Sequence, residues 1–427
     1  MKTTRGVFDK PKELTDRILV SLKSRNFRLY FGGMCISLVG TWMQQLAMSW
    51  MAYKLTGSVL FLAGISFMAQ IPILLITPFA SVFADRFNRH HILLLTQSLS
   101  AVQALLLAWL TFNGTIEIWH LMALSLFLGV INALDNPTRQ AFYPGLVAPE
   151  HLNNAIALNS TVINGSRLVG PAIGGIVIGF GGEMFCFLLN GLSYLGVIIA
   201  LLRMHLPIQH SRKTRLTVFT DLNEGFCYVA TQLPIRSLLL LMAIVSFFGL
   251  PLVTFIPAYV NDILNGESKM LGYLLSCIGL GSLTAAITLA ARKTIAGLER
   301  LITINTFLLG ASLSSLAFIH TPFLAAAILI SAGFSIIMTV ASINSLLQAL
   351  AEEDKRGRVM GYLAMTFTGI SPLGGILLGY LEKYAGLPVI ILLSGMTCTL
   401  AGATFEYYRP LIYKYSRPIL LRKGIIK

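Results

Sequence analysis

Acidic side chains are scarce in this chain: 18 Asp and Glu stand against 32 Lys and Arg, and charged residues of both signs make up only 12% of 427. Soluble domains carry about 25% charged residues. With 55% hydrophobic residues, a water-exposed globular fold is excluded and a polytopic membrane protein remains. Cysteine is equally sparse. Cys35, Cys186, Cys227, Cys277 and Cys398 occur singly, with no CxxC pair, so they read as packing residues, neither disulfides nor metal ligands. There is no Walker loop, no HExxH and no GxSxG, so nothing points to an ATP-driven pump or a membrane hydrolase. The expectation is a chain that is not an enzyme and uses no cofactor and no metal. A cleavable leader is not expected either: the first apolar run begins near Phe27, is too long for an h-region, and follows a basic segment without a small-residue cleavage site.

What is present is a succession of apolar runs of about 20 residues, the length a bilayer core demands. They fall at 27–53, 59–84, 92–113, 119–142, 154–180 and 184–203, and again at 237–260, 270–291, 301–319, 322–347, 357–380 and 387–408. The predicted fold is all-α and integral to the membrane, with twelve transmembrane helices in two six-helix bundles. Residues 1–26 read as an amphipathic segment on the membrane surface. Residues 27–203 form the first bundle, 204–236 a polar linker, 237–408 the second bundle, and 409–427 a basic tail.

The net charge of +14 would suit nucleic acid if it were clustered, but its distribution is a topology signal. Of the 32 Lys and Arg, 28 fall on the side that holds both ends of the chain and the linker; Lys54, Lys269 and Lys383 fall on the other, and Arg167 lies inside a span. The positive-inside rule then places both termini in the cytoplasm, and the expected location is the cell inner membrane. Traces of internal duplication accompany the six-plus-six count. Asn136-x-x-x-Gln140-Ala141 in span four is echoed by Asn344-x-x-x-Gln348-Ala349 in span ten, and Gly170–Phe180 in span five by Ser371–Leu381 in span eleven. Parallel repeats of a transporter would produce such echoes.

Polar residues inside spans carry the functional expectation. The stretch from Asn132 to Gly175 reads as two membrane helices joined by a short loop, with Asn132, Asp135, Asn136 and Arg139 at helical spacing on one face of the first. Ser160, Asn164 and Arg167 do the same on the second. An arginine in a span costs about 3 kcal/mol on insertion scales, so it needs a polar partner or a wet cavity. Counted along the helices, Asp135 lies about 12 Å deep and Arg167 about 20 Å deep, leaving either a mutual ion pair or a substrate and proton site. Thr41, Gln44 and Gln45 in span one need a cavity wall or an interhelical bond.

Between spans two and three the chain reads SVFADRFNRHH. This acidic-Arg-x-x-Arg loop resembles the signature loop of the major facilitator superfamily. Asp85, Arg86 and Arg89 match it, while Ser81 and Asn88 replace its glycines. Asn tolerates left-handed backbone, so a tight turn is expected at Asn88. The resemblance implies that the loop is a charge latch stabilising one access state; simple positive-inside charge is the other reading. FRLYFGG, GTWMQQLAMSWMAYKLTGS, DNPTRQAFYPGLV and NGSRLVGPAIGG are similar to the transmembrane secretion effector branch of that superfamily, to which the bacterial enterobactin exporter belongs. Gly170, Pro171 and Gly174 match the antiporter motif of facilitator exporters, with Ser166 in place of its earlier glycine; tight helix packing would use the same small residues.

The expected function is secondary active transport by alternating access, exporting a small polar or anionic organic molecule, siderophore or drug-like, by proton-coupled antiport. An importer of a ferric siderophore or lysolipid on the same scaffold is the alternative, and a membrane-embedded enzyme or receptor a remote one. Arg167, Asn164, Gln44, Gln45, Asn132 and Thr41 are the expected substrate-binding residues, and Asp135 the proton-coupling one. The expected partners are a small-molecule substrate, a proton or other ion gradient and the lipid bilayer. No nucleic acid is expected, and an outer-membrane efflux partner is compatible with the resemblance.

Overall fold

The computed structural model describes residues 20–204, 218–292 and 294–423, without the side chains of 78, 81–86 and 218–223. The surface segment expected at 1–26 therefore lies mainly outside the described residues, as does 205–217 of the linker. Twelve long helical segments carry the chain back and forth. In the first half they are Arg25–Thr56, Val59–Arg86, Arg89–Phe112, Ile118–Phe142, Leu152–Gly181 and Glu183–Leu202. In the second half they are Leu233–Ile263, Ser268–Ala290, Leu298–Leu316, Pro322–Leu350, Arg356–Ala385 and Leu387–Arg422. Ten are apolar enough to cross a membrane on their own. Spans one and nine are the exceptions, and both bury polar side chains against neighbouring helices: Ser37 and Gln44 in the former, Asn305 and Thr306 in the latter.

Span seven departs most from a regular helix. Two π turns, Val245–Gly249 and Tyr259–Ile263, flank the short α-helix Leu252–Ala258, so the side chains beyond each turn are rotated relative to a regular helix. Span twelve runs past the expected end at 408 to Arg422. One face there stays covered by Ile412, Ser416 and Leu420, and Lys423 Nζ donates to the carbonyls of Ala349 and Ala351 at the end of span ten.

The duplication suspected from sequence is visible in the joints. A single glycine with positive φ turns span five into span six, Gly182 at φ 83°, and another turns span eleven into span twelve, Gly386 at φ 80°. Side chains other than glycine rarely adopt that backbone. Each half also fastens the segment ahead of its first span to the loop between its fourth and fifth. In the first half Ser21 Oγ donates to His151 O, and Ser24 Oγ to Leu146 O. In the second, the helix Val218–Thr231 brings Tyr228 to the backbone N–H of Glu352 in that loop (3.3 Å) and Glu224 to Arg358 in the first turn of span eleven (2.6 Å).

Between the halves, close packing runs through small residues. A methyl group on Gly272 of span eight would strike Pro171 O and Gly175 of span five, and one on Gly279 would strike Leu168. Gly379 of span eleven lies against Leu60 of span two in the same way. Gly175, Gly272, Gly379 and Leu60 lie toward the end opposite the chain termini, which is shut. At the terminus-bearing end, Asn136, Gln140, Ser160, Thr161 and Gln348 are exposed. Exposed amides are disfavoured against hydrocarbon, so this polar face on spans four, five and ten is read as facing the opening between the halves at that end.

Candidate functional site

Span five is held against span one because Gly170 and Gly174 have no side chains: a methyl at either would meet Trp42 or Met43. That approach lays Arg167, one turn before Gly170, over the indole of Trp42, with its guanidinium carbon 5.1 Å from the ring centroid. Arg167 Nε is buried without a hydrogen-bond partner, and no acid pairs with the side chain among the described residues. A cation–π contact offsets about 0.5–2 kcal/mol, depending on desolvation. It leaves the donor fork of the guanidinium for another group. Asn164 is partly buried one turn nearer the open end, its Nδ2 donating to Ser160 O at 2.8 Å. Gln45, one turn from Trp42 on span one, is exposed.

Gln44, expected on the same wall, is not on it. It is 2% exposed inside the first bundle. Asn190 Nδ2 donates to Gln44 Oε1 at 2.8 Å, Gln44 Nε2 donates to Gln103 Oε1 at 2.9 Å, and Gln103 Nε2 donates to Leu124 O at 3.2 Å. This amide relay ties spans six, one, three and four together, and both ends of the Gln44 amide are engaged. Neighbouring residues on a helix point about 100° apart, so only one of the Gln44–Gln45 pair can face a cavity. Thr41 also turns partly to the bundle, donating to Ser37 O at 2.9 Å and lying 3.4 Å from Tyr194 Oη.

The face expected on span four divides likewise. Asn132 is partly buried and Asn136 exposed, whereas Asp135 is 1% exposed. Thr96 Oγ1 at 2.7 Å and Gln97 Nε2 at 2.9 Å donate to Asp135 Oδ1, and Arg139 donates to Oδ2. The ion pair of Asp135 is therefore with Arg139 on its own helix and not with Arg167. Thr96 and Gln97 were missed in the sequence because a polar pair in span three gives no sign of which helix it faces.

In the loop between spans two and three, the side chains of Asp85 and Arg86 lie outside the described residues. Arg89 donates to Ala141 O at 3.0 Å, at the end of span four. His90 Nε2 lies 2.9 Å from Leu201 O, at the end of span six. Basic groups on the last carbonyls of helices are electrostatically favoured. Asn88 does not adopt the expected left-handed turn. Its backbone is extended, at φ −66° and ψ 112°, and its side chain accepts from the N–H of His90 at 3.0 Å. Asparagine here caps the start of span three, a role its short acceptor fills well.

Two repeated bundles of six helices, shut at one end and open with a polar lining at the other, define a membrane transporter of the major facilitator fold. Within it the chain belongs to the transmembrane secretion effector family, whose sequence model matches residues 18–413. It is 23% identical over 367 residues to the staphyloferrin A transporter of Staphylococcus aureus (strain NCTC 8325 / PS 47), covering 84% of this chain and 90% of that one. It is 24% identical over 366 residues to the multidrug efflux pump Tap of Mycolicibacterium fortuitum, covering 83% and 89%. Among solved structures, a bacterial homologue of the human lysosomal transporter Spinster, in an inward-facing and unoccupied conformation, superposes with a TM-score of 0.66 at 13% identity, covering 92% of this chain and 98% of that one.

Proposed function

We propose that this transporter sits in the cell inner membrane with both termini cytoplasmic and exports a small organic molecule bearing a carboxylate or another anionic group, by alternating access and proton antiport. The observation that carries the reading is Arg167, a cation held inside the membrane with no acid paired to it among the described residues, stacked on Trp42, with Asn164 one turn away on its own helix. An intramembrane arginine without a protein counter-charge is costly, and an anionic ligand supplies that charge. Siderophore transport and drug efflux among the relatives agree with a polar or drug-like cargo. Asp135 and Arg139 are proposed as the coupling pair, bonded to each other in the state described and parting as the halves rock. The loop carrying Asp85, Arg86 and Arg89 would stabilise one access state.

The test compares uptake with efflux of carboxylate siderophores in a deletion strain, with and without a protonophore, alongside titration of Trp42 fluorescence in the purified protein. Anionic siderophores should quench Trp42, with a Trp42→Phe variant as control, and should leave the cell in a protonophore-sensitive way. Net inward movement would assign import. Quenching by cationic drugs in place of anionic siderophores would overturn the assignment of Arg167.

A further inference from the structure

Span twelve is longer than the bilayer it crosses. Its 36 residues, Leu387–Arg422, make a helix about 54 Å long at about 1.5 Å per residue, whereas a hydrocarbon core of about 30 Å takes about 20 residues. Counted from the joint at Gly386, the core ends near Tyr407, and about 15 residues continue past it at the terminus-bearing end. A helix that had simply entered water would shed its apolar groups there. This one does not. Four of the chain's 14 tyrosines, Tyr407, Tyr408, Tyr413 and Tyr415, fall within nine residues, and all four are exposed, Tyr407 by 79%.

Packing fixes which way the extension looks. Ile412, Ser416 and Leu420 are buried, and Lys423 is tied to the carbonyls of Ala349 and Ala351. Residues at i, i+4 and i+8 share a stripe, so Tyr407, Leu411 and Tyr415 form a second stripe turned away from the first, and each is exposed. Lys414 and Arg417, three residues apart, stand beside it on the outward side and are exposed too. Neither pairs with an acid among the described residues, unlike Arg409, which Glu406 engages at 2.7 Å. By the same count Lys414 and Arg417 start about 10 and about 15 Å past the core. Side chains on a helix tilt toward its N-terminus, which for this segment is the bilayer, so both long cations point back toward a headgroup layer about 5–7 Å deep.

We propose that this face of span twelve is a docking surface for anionic phospholipid in the leaflet at the terminus-bearing end, with Lys414 and Arg417 on the phosphates and Tyr407 and Leu411 where headgroups meet acyl chains. Leucine and a run of tyrosines are disfavoured in open water, and two unpaired cations are disfavoured in hydrocarbon; the interface suits both. Charge selects the lipid class, because Lys and Arg near a membrane surface attract anionic headgroups and gain nothing from neutral ones. The inference uses neither Arg167 nor Asp135, so it goes beyond the transport reading and does not depend on it.

The experiment uses the full chain with its five native cysteines replaced and a bimane label at Tyr408→Cys, beside the proposed contacts, in nanodiscs of mixed phosphatidylcholine and phosphatidylglycerol. Quenching by phosphatidylglycerol that carries a nitroxide on its acyl chain near the glycerol should exceed quenching by the matching phosphatidylcholine, at equal mole fraction, by about threefold. Lys414→Gln with Arg417→Gln should bring that ratio to about one, whereas Lys414→Arg with Arg417→Lys, which keeps both charges, should preserve it. In the parent, raising salt from about 0.1 M to about 1 M shortens the screening length from about 10 Å to about 3 Å and should lower the ratio. Equal quenching by the two lipids in the parent, or a ratio unchanged by removing both charges, would overturn the proposal. Quenching by neither lipid, with cross-linking between labelled copies, would overturn it in favour of a second copy covering this face.

Discussion

Two charged residues at different depths test different parts of the mechanism. Arg167 presents a planar fork that suits a carboxylate and stacks on Trp42; lysine keeps the charge but neither the fork nor the stacking. Arg167→Lys should weaken binding of an anionic siderophore by about tenfold, equivalent to about 1.4 kcal/mol, with folded protein still present in the membrane. Fluorescence titration of Trp42 checks this, and parental affinity in the variant would place the site elsewhere. Asp135 differs because its oxygens are already engaged by Thr96, Gln97 and Arg139. Removing one member of a buried ion pair costs about 3–5 kcal/mol, and Asp135→Asn keeps one acceptor oxygen, so its thermal midpoint should fall. If Asp135 couples the proton, the variant should also lose concentrative, protonophore-sensitive transport while keeping exchange down a gradient. A lower midpoint with proton-driven transport intact would assign the pair to stability alone.

Helix contacts decide which end of the molecule is shut. Gly272 and Gly175 allow spans eight and five to touch backbone to backbone, and a side chain on Gly272 would meet Pro171 O and Gly175 at once. Gly272→Val should therefore disfavour the shut far end without disturbing either bundle. A far-side cysteine probe at Ser58 should label several-fold faster in that variant, at parental expression; equal labelling would mean that the halves part elsewhere. The helices themselves were legible from apolar run length, because a bilayer fixes how many residues a span requires. Arg167 stacks on Trp42, and Gly170 and Gly174 lie against span one; an arginine in a span and a run of small residues are features that residue type alone displays, whereas their partners are not. The amide relay was not legible. Gln44 finds Asn190 146 positions away, and no local pattern distinguishes it from its neighbour Gln45. The π turns of span seven were equally hidden, because no local pattern marks where one extra residue enters a helical turn.

At the scale of the whole molecule, the joints at Gly182 and Gly386 and the two fastened pre-span segments show a unit used twice. The repeat places Gln140 of span four and Gln348 of span ten at corresponding positions, and both are exposed at the terminus-bearing end. Residues related by a pseudo-two-fold axis and facing the same opening approach each other when that opening closes. The state described has this end open and the other held by Tyr53 and Asp262. Alternating access requires a second state with those roles exchanged, reached largely by rigid-body rocking of the halves. Gln140→Cys with Gln348→Cys, in a background lacking the native cysteines, should form a disulfide slowly in the resting protein. It should form several-fold faster once a second-state ligand opens the far end, since the terminus-bearing end then shuts. Two Cα atoms must come within about 7 Å for the bond to form, so cross-linking reports real closure and not loose proximity. The cross-linked protein should be unable to transport and should recover on reduction. Rapid cross-linking independent of ligand would show that the terminus-bearing end rests shut, contrary to the described state. Cross-linking that leaves transport intact would show that the halves do not rock about this opening.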